Sequence, residues 1–290
     1  MKPSIKWLLA ILAVIGLAAA AYLWWQNSTG VVPQLSAPIA PVQDATTPVT
    51  LAPEPVQPAA PAPIQHPIEE VLEPAASPPP RLPKLGESDK LIQEALTELL
   101  TRKAVLTFLN LDNFVRHFVA TVDNLAQGHA ASRLWPVVPT PGRFMVVERS
   151  DGTYVADGNS DRYTPFVRFA SSVNTAQAAA LYARLYPLFQ QAYEELGYPG
   201  KYFNDRLVAV IDQLLDAPEL TEPVRLTLTK VQGPIEPTQP WLRYEFEDPA
   251  LEARPAGQKV MMRMGRANEL LLKAKLKEFR ERIVKRRSGR

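Results

Sequence analysis

Proline has no backbone N–H and holds φ at about −65°, so a dense run of it can join neither a helix interior nor a central strand. Of the 29 prolines in this chain, 15 fall within residues 31–83, and 13 are spread over the 207 residues that follow. The dense stretch repeats proline with Ala, Val, Gln and Thr, carries five acidic residues and one basic one, and contains no aromatic residue. Such a composition is expected to stay disordered, because it offers too little apolar surface to offset the entropy of ordering. Its expected state is an extended spacer with polyproline II character. At about 3.1 Å per residue its contour approaches roughly 160 Å. The spacer would carry a folded domain away from its attachment point, toward a cell wall or an outer-membrane partner, or act as a passive tether. The string SPPPR at residues 77–81 resembles a ligand for aromatic grooves, a pattern that proline-rich spacers also produce incidentally.

What precedes the spacer is its opposite. Residues 7–25, WLLAILAVIGLAAAAYLWW, contain no charge. A helix of that length rises about 1.5 Å per residue and just crosses a hydrocarbon layer of about 30 Å. Lys2 and Lys6 lie before it, and Gln26, Asn27 and Ser28 follow. The positive-inside rule therefore puts residues 1–6 in the cytoplasm and everything after residue 26 across the membrane. Trp7, Tyr22, Trp24 and Trp25 stand at the two interfaces. A cleaved signal peptide is the rival reading, since Ala18 to Ala21 offer small residues for cleavage; the apolar run continues past them, which favours a retained anchor.

Residues 86–290 read as one mainly α-helical domain with minor short strands. Ser88 is a candidate N-cap for a helix with Leu91, Ala95, Leu96, Leu99 and Leu100 apolar. A second helix is expected from about Leu109 to Gln127, with Phe114, Phe118, Val122 and Leu125 on one face and Gly128 as its stop. The period then shortens, and residues 143–148 and 153–155 flank Ser150-Asp151-Gly152 as a hairpin. A long helix spans 175–196 with Leu181, Leu185, Leu188, Phe189, Ala192 and Leu196 inward, a kink at Pro187 and Gly197 at its end. Asn204 reads as the cap of the next helix. Residues 224–229 and 241–246 alternate like strands, Asp248-Pro249 opens a short helix, and a last helix runs from Asn268 to about Arg287 with Leu271, Leu272, Leu276, Phe279 and Ile283 apolar.

Charge divides this domain. Residues 259–290 hold 12 basic and 3 acidic side chains, while residues 84–258 hold 17 basic and 22 acidic ones. The basic terminal helix can face an acidic protein partner or an anionic surface, or it can pack on the acidic remainder of its own domain. Nucleic acid is not an expected partner, because the domain would lie outside the cytoplasm.

Recognisable catalytic chemistry is missing. With no cysteine there is no thiolate metal site, iron–sulfur cluster or cysteine nucleophile, and no nucleophile elbow, zinc-protease helix or phosphate loop occurs. No catalytic, cofactor-binding or metal-ligating residue is assigned, and the chain is read as a non-enzymatic protein. His117 and His129 are too sparse for a metal pair. Asp157, Asn159 and Asp161 alternate like a calcium loop, but Arg162 and Arg168 stand where an EF-hand needs glycine and glutamate, so an Asx-rich turn is preferred. Glu245, Glu247 and Asp248 form a carboxylate cluster of the kind used in glycoside hydrolysis, although Asp248 already serves as a cap. Met261, Met262 and Met264 fit either an adaptable groove or a core.

Several strings carry a family resemblance: FVATVDNLA at 118–126, YPL at 186–188, AYEELGY at 192–198, LVAVID at 207–212, FEDPALE at 246–252, GQK at 257–259 and MG at 264–265. Together, over roughly residues 88–285, they resemble a proteobacterial family, the domain of unknown function numbered 3014. The resemblance implies a single-span protein of the bacterial inner membrane with a proline-rich linker and a periplasmic C-terminal domain, and supplies no activity, cofactor or catalytic residue. It makes Asp123, Asn124, Tyr193, Asp212 and Asp248 candidates for a shared polar network, or for caps and buried hydrogen bonds. The reading overall is a membrane-anchored envelope protein whose domain works as an adaptor; a wall-associated hydrolase and a small-ligand-binding domain are the alternatives.

Overall fold

A computed structural model describes residues 63–68, 81–221, 223–229 and 239–284. The apolar run 7–25 and most of the spacer lie outside the described residues. Among the described residues no helix is long and apolar enough to cross a membrane.

The domain is mainly helical. Its helices are α1 (Asp89–Leu99), α2 (Arg102–Phe108), α3 (Phe114–Leu125), α4 (Thr164–Ser172), α5 (Thr175–Glu195), α6 (Phe203–Leu215), α7 (Pro249–Glu252), α8 (Ala256–Arg263) and α9 (Arg266–Ile283). Four short strands, β1 (Val146–Arg149), β2 (Gly152–Val155), β3 (Arg225–Leu228) and β4 (Tyr244–Phe246), make one antiparallel sheet in that order. The hairpin forms as its pattern predicts: Arg149 pairs with Gly152, leaving Ser150 and Asp151 as a two-residue turn. One sheet face buries Leu226 and Phe246 against Met262.

α5 is the axis of the core. It packs against α3 on one side and α9 on another, and α9 also lies across α4 and α6. Because α5 is covered on several sides, it buries Tyr182, Tyr186 and Tyr193 along with Leu185, Leu188, Phe189 and Ala192, while Leu196 is left exposed. Pro187 does not end it. Its stop is built as expected on Gly197, whose φ of +112° suits a residue without Cβ. Around that turn the Tyr198 N–H donates to the Tyr193 carbonyl, the Gly197 N–H to the Glu194 carbonyl, and the two tyrosine rings stack 4.6 Å apart.

Several boundaries differ from the sequence reading, each for a local reason. The second expected helix starts at Phe114 rather than Leu109, because Asn113 takes the left-handed conformation (φ 50°) and interrupts the chain after α2. Ser88 stands before α1, but its hydroxyl donates back to the Leu85 carbonyl instead of capping the helix. Only Tyr244–Phe246 of the expected 241–246 strand is extended; Pro240–Leu242 is a 3₁₀ turn, with the Arg143 guanidinium 3.8 Å over the Trp241 ring. α9 begins at Arg266, and its apolar stripe is Leu272, Leu276, Phe279 and Ile283; Leu271 falls off the stripe and is 50% exposed.

The spacer reading also needs amendment. Residues 63–68 lie inside the stretch expected to stay unpacked, yet Ile68 is only 2% exposed and belongs to the main core cluster, as does Leu85. The physical reason is that a proline-rich segment needs no partner for its missing N–H groups, so a few aliphatic side chains suffice to seat it on an existing core.

Candidate functional site

The first turn of α6 reads Phe203, Asn204, Asp205, Arg206, and each side chain faces a different neighbour. Phe203 is fully buried among Phe118, Phe189 and Tyr193. Asn204, read from sequence as a cap, is instead a fully buried cross-link inside the helix, with Tyr202 at the cap position. Its Oδ1 accepts from the Tyr182 hydroxyl (3.2 Å), its Nδ2 donates to the carbonyls of Ile283 (3.0 Å) and His66 (2.8 Å), and its backbone N–H donates to the Tyr186 hydroxyl. One amide thus ties α5, the end of α9 and the 63–68 segment together. Burial raises the Tyr182 and Tyr186 hydroxyls well above the usual tyrosine range, so both stay neutral and able to donate.

Asp205 faces outward from the same turn. Its two carboxylate oxygens accept the consecutive backbone N–H groups of Gln65 (3.0 Å) and His66 (2.7 Å). The Tyr202 hydroxyl accepts the N–H of Ile68 at 2.8 Å. Residue 67 is proline and has no N–H, so every donor of the main chain from 65 to 68 is taken.

Arg206 turns toward α3. Its Nη2 lies 2.8 Å from Asp123 Oδ1, its Nε donates to the same oxygen at 2.9 Å, and the Tyr198 hydroxyl donates to Asp123 Oδ2 at 3.0 Å. That hydrogen bond to the carboxylate holds the Tyr198 hydroxyl above the usual tyrosine range. Beside this network an open groove of about 600 Å³ is lined by Ala126, Gln127, Arg206, Asp212, Gln213 and Asp216. Asp212 is paired with Arg280 of α9, whose Nη2 donates at 2.9 Å. Close packing of α8 under the groove rests on Gly257, where a Cβ would come within 2.5 Å of the Leu214 side chain and 3.0 Å of the Leu125 carbonyl.

The helices and turns just described span the residues that one family model covers. The model described as "Protein of unknown function (DUF3014)" matches residues 114–280, more than half of the chain. The chain belongs to the DUF3014 family. No curated protein and no solved structure matches it. Asn204, Asp205, Arg206 and Asp123 all fall inside the matched span, whereas the docked segment 63–68 lies outside it.

In this DUF3014 domain the residues singled out by sequence are dispersed. Asp123 and Tyr193 do come together, through Tyr198, and Asp212 lines the adjacent groove. Asp248 is remote in role, accepting the Ala250 N–H at 2.8 Å as the cap of α7. Glu247 pairs with Arg225 at 3.1 Å. Asn159 is fully buried: Oδ1 accepts from the Met145 N–H and from Arg162, and Nδ2 donates to the Arg263 carbonyl, so the Asp157–Arg162 turn joins the hairpin to α8. Both of its polar atoms are thereby engaged in long-range bonds rather than in the local Asx turn expected from sequence. His129 is exposed, while His117 is half-buried with Nδ1 lacking a hydrogen-bond partner among the described residues. Among the described residues no three His, Asp or Glu side chains gather to hold a metal ion. Met261, Met262 and Met264 are all buried, in core rather than groove.

Within the described residues 259–284, six of the eight basic side chains form ion pairs, while Lys285, Arg286, Arg287 and Arg290 lie outside the described residues. Lys259 pairs with Glu252, Arg266 with Glu219, Lys273 with Glu269 and Glu219, Lys275 and Arg282 with Glu278, and Arg280 with Asp212. Arg263 donates to the Tyr244 carbonyl and lies over Phe246. Lys277 is exposed and has no such partner among the described residues. Sequence reasoning passed over Asp205, Arg206 and Ile68. The available signal was a run of three polar residues opening an apolar helix, and an aliphatic residue after proline just where Val71 and Leu72 raise the apolar content of the spacer.

Proposed function

We propose that this chain is a non-enzymatic adaptor of the bacterial envelope, anchored in the inner membrane by residues 7–25 with its N-terminus cytoplasmic. In this reading the helical domain stands in the periplasm at the end of the proline-rich spacer and binds another envelope component. The observation that carries it is the seat of residues 63–68. There the domain holds a short, bent piece of chain through main-chain hydrogen bonds and one buried aliphatic side chain, the means by which proteins recognise other chains. Internal pairing of the basic side chains among residues 259–284 favours this seat over the described face of α9.

Two measurements test it in the native bacterium. Fractionation with protease digestion should find the chain in the inner membrane, with the domain cleaved only after the outer membrane is opened; a soluble chain, or a domain cleaved from the cytoplasmic face, contradicts the anchoring. In-cell crosslinking followed by mass spectrometry should return a reproducible envelope partner, and recovery of the chain alone would count against an adaptor. A second reading, a small-ligand-binding domain, draws on the open groove beside Arg206 and Asp212. It requires a ligand-dependent rise in melting temperature that Asp212→Asn abolishes.

A further inference from the structure

We propose that the corner formed by α5, the first turn of α6 and the end of α9 is a peptide-recognition cleft that residues 63–68 occupy in cis. The partner it fits in trans is a short bent segment with two consecutive free N–H groups followed by proline and a β-branched aliphatic residue, the conformation that residues 65–68 adopt. This deepens the adaptor reading and rests on it only for the claim that such a partner lies in the envelope.

The contacts define what the cleft reads. Asp205 takes two successive N–H groups, Asn204 gives one N–H to the carbonyl between them and the proline, and Tyr202 takes the N–H of Ile68. These are main-chain groups that any sequence offers, apart from the proline at the position whose N–H is not used. Side-chain selection falls on residue 68, which is buried, whereas Ile64 is 54% exposed and Gln65 is exposed. The recognised unit is therefore short and contiguous.

The walls of the seat carry hydrogen bonds of their own. Tyr182 to Asn204, Asn204 to the Ile283 carbonyl, and Gln190 to both the Tyr186 hydroxyl and the Phe203 N–H hold the walls through bonds that leave residues 63–68 out. Preorganised donors and acceptors lose little entropy on binding. Among the described residues Asp205 makes no ion pair, and its carboxylate accepts only the two N–H groups of the segment. Departure of the segment would leave that carboxylate and one buried Asn204 N–H without protein partners and open the Ile68 site in the core. A cleft of this kind favours being filled, and the cis segment, tied to the domain by a short stretch of chain, competes with any partner at an effective concentration of about millimolar.

The test uses purified full-length chain in detergent and a fluorescent peptide of residues 61–70, PAPIQHPIEE. The released variant carries His66→Pro, which removes one donor, and Ile68→Ser, which removes the anchor; its fold is checked by helical circular dichroism. The peptide should bind the released chain at least about tenfold more tightly than the wild type, because the cis competitor is gone. Adding Asp205→Asn should weaken that binding about tenfold, as expected for loss of two charge-assisted hydrogen bonds. Equal binding to wild-type and released chains, no binding to the released chain, or indifference to Asp205→Asn overturns the proposal. If the released chain fails to fold, amide exchange on the wild type decides: Gln65, His66 and Ile68 must be protected, and Asp205→Asn must remove the protection of the first two. Failure here with an envelope partner still captured would leave the adaptor reading standing, and the reverse outcome would leave a peptide cleft without its envelope role.

Discussion

Asn204 shows how one side chain can hold three segments. Asn204→Ala would leave the Tyr182 hydroxyl and the carbonyls of His66 and Ile283 without their partner in a buried setting, at a cost of about 3 kcal/mol. Chemical denaturation of the full-length chain followed by tryptophan fluorescence measures it, and a loss well under 1 kcal/mol would mean that water replaces the amide. Glu269 is a second decisive residue. It is 1% exposed and lies 3.0 Å from Lys273 Nζ without a well-aligned hydrogen bond at that oxygen. Burial raises its carboxyl above the ordinary glutamate range, opposed by Lys273. A raised value in the fold means that the protonated form is the favoured one there. Its stabilising contribution is complete below the ordinary glutamate range and is lost as pH rises through the raised value. Urea midpoints of wild type and Glu269→Gln, taken at about pH 4 and about pH 8, should therefore diverge in favour of the variant at the higher pH. Neither role was legible beforehand, since Asn at a helix start reads as a cap and Glu in a helix reads as surface.

At the level of elements, periodicity carried most of the information. The stripes Leu207, Val208, Ile211 on α6 and Leu272, Leu276, Phe279, Ile283 on α9 pack as their spacing requires. The errors gather where a local conformation overrides the pattern: left-handed Asn113 before α3, and the 3₁₀ turn at Pro240–Leu242 before β4. Element packing also makes demands that no pattern displays. At Gly257 α8 approaches Leu125 and Leu214 too closely for a side chain. Gly257→Ala should destabilise by about 2 kcal/mol through overpacking, despite the better helix propensity of alanine. A thermal melt that rose instead would show that Leu214 can move aside.

For the whole molecule the boundary of the domain matters most, because residues 63–68 pack on the core although composition reads them as spacer. Ile68→Ala in the full-length chain should cost about 3 kcal/mol, the usual loss for a buried isoleucine, whereas Ile64→Ala, at an exposed neighbour, should cost under about 0.5 kcal/mol. Similar small effects at both positions would return the segment to the spacer. By itself the sequence determined the helical class, the hairpin, the stop at Gly197 and the membership of the DUF3014 family, because each rests on spacing or on residues close together in the chain. Only the tertiary structure decided which acids are spent on internal pairs, where the basic stretch finds its partners, and that Asp205, Asn204 and Tyr202 meet a segment more than 130 residues away. Those contacts depend on which faces the packed helices bring together, and no local periodicity encodes that.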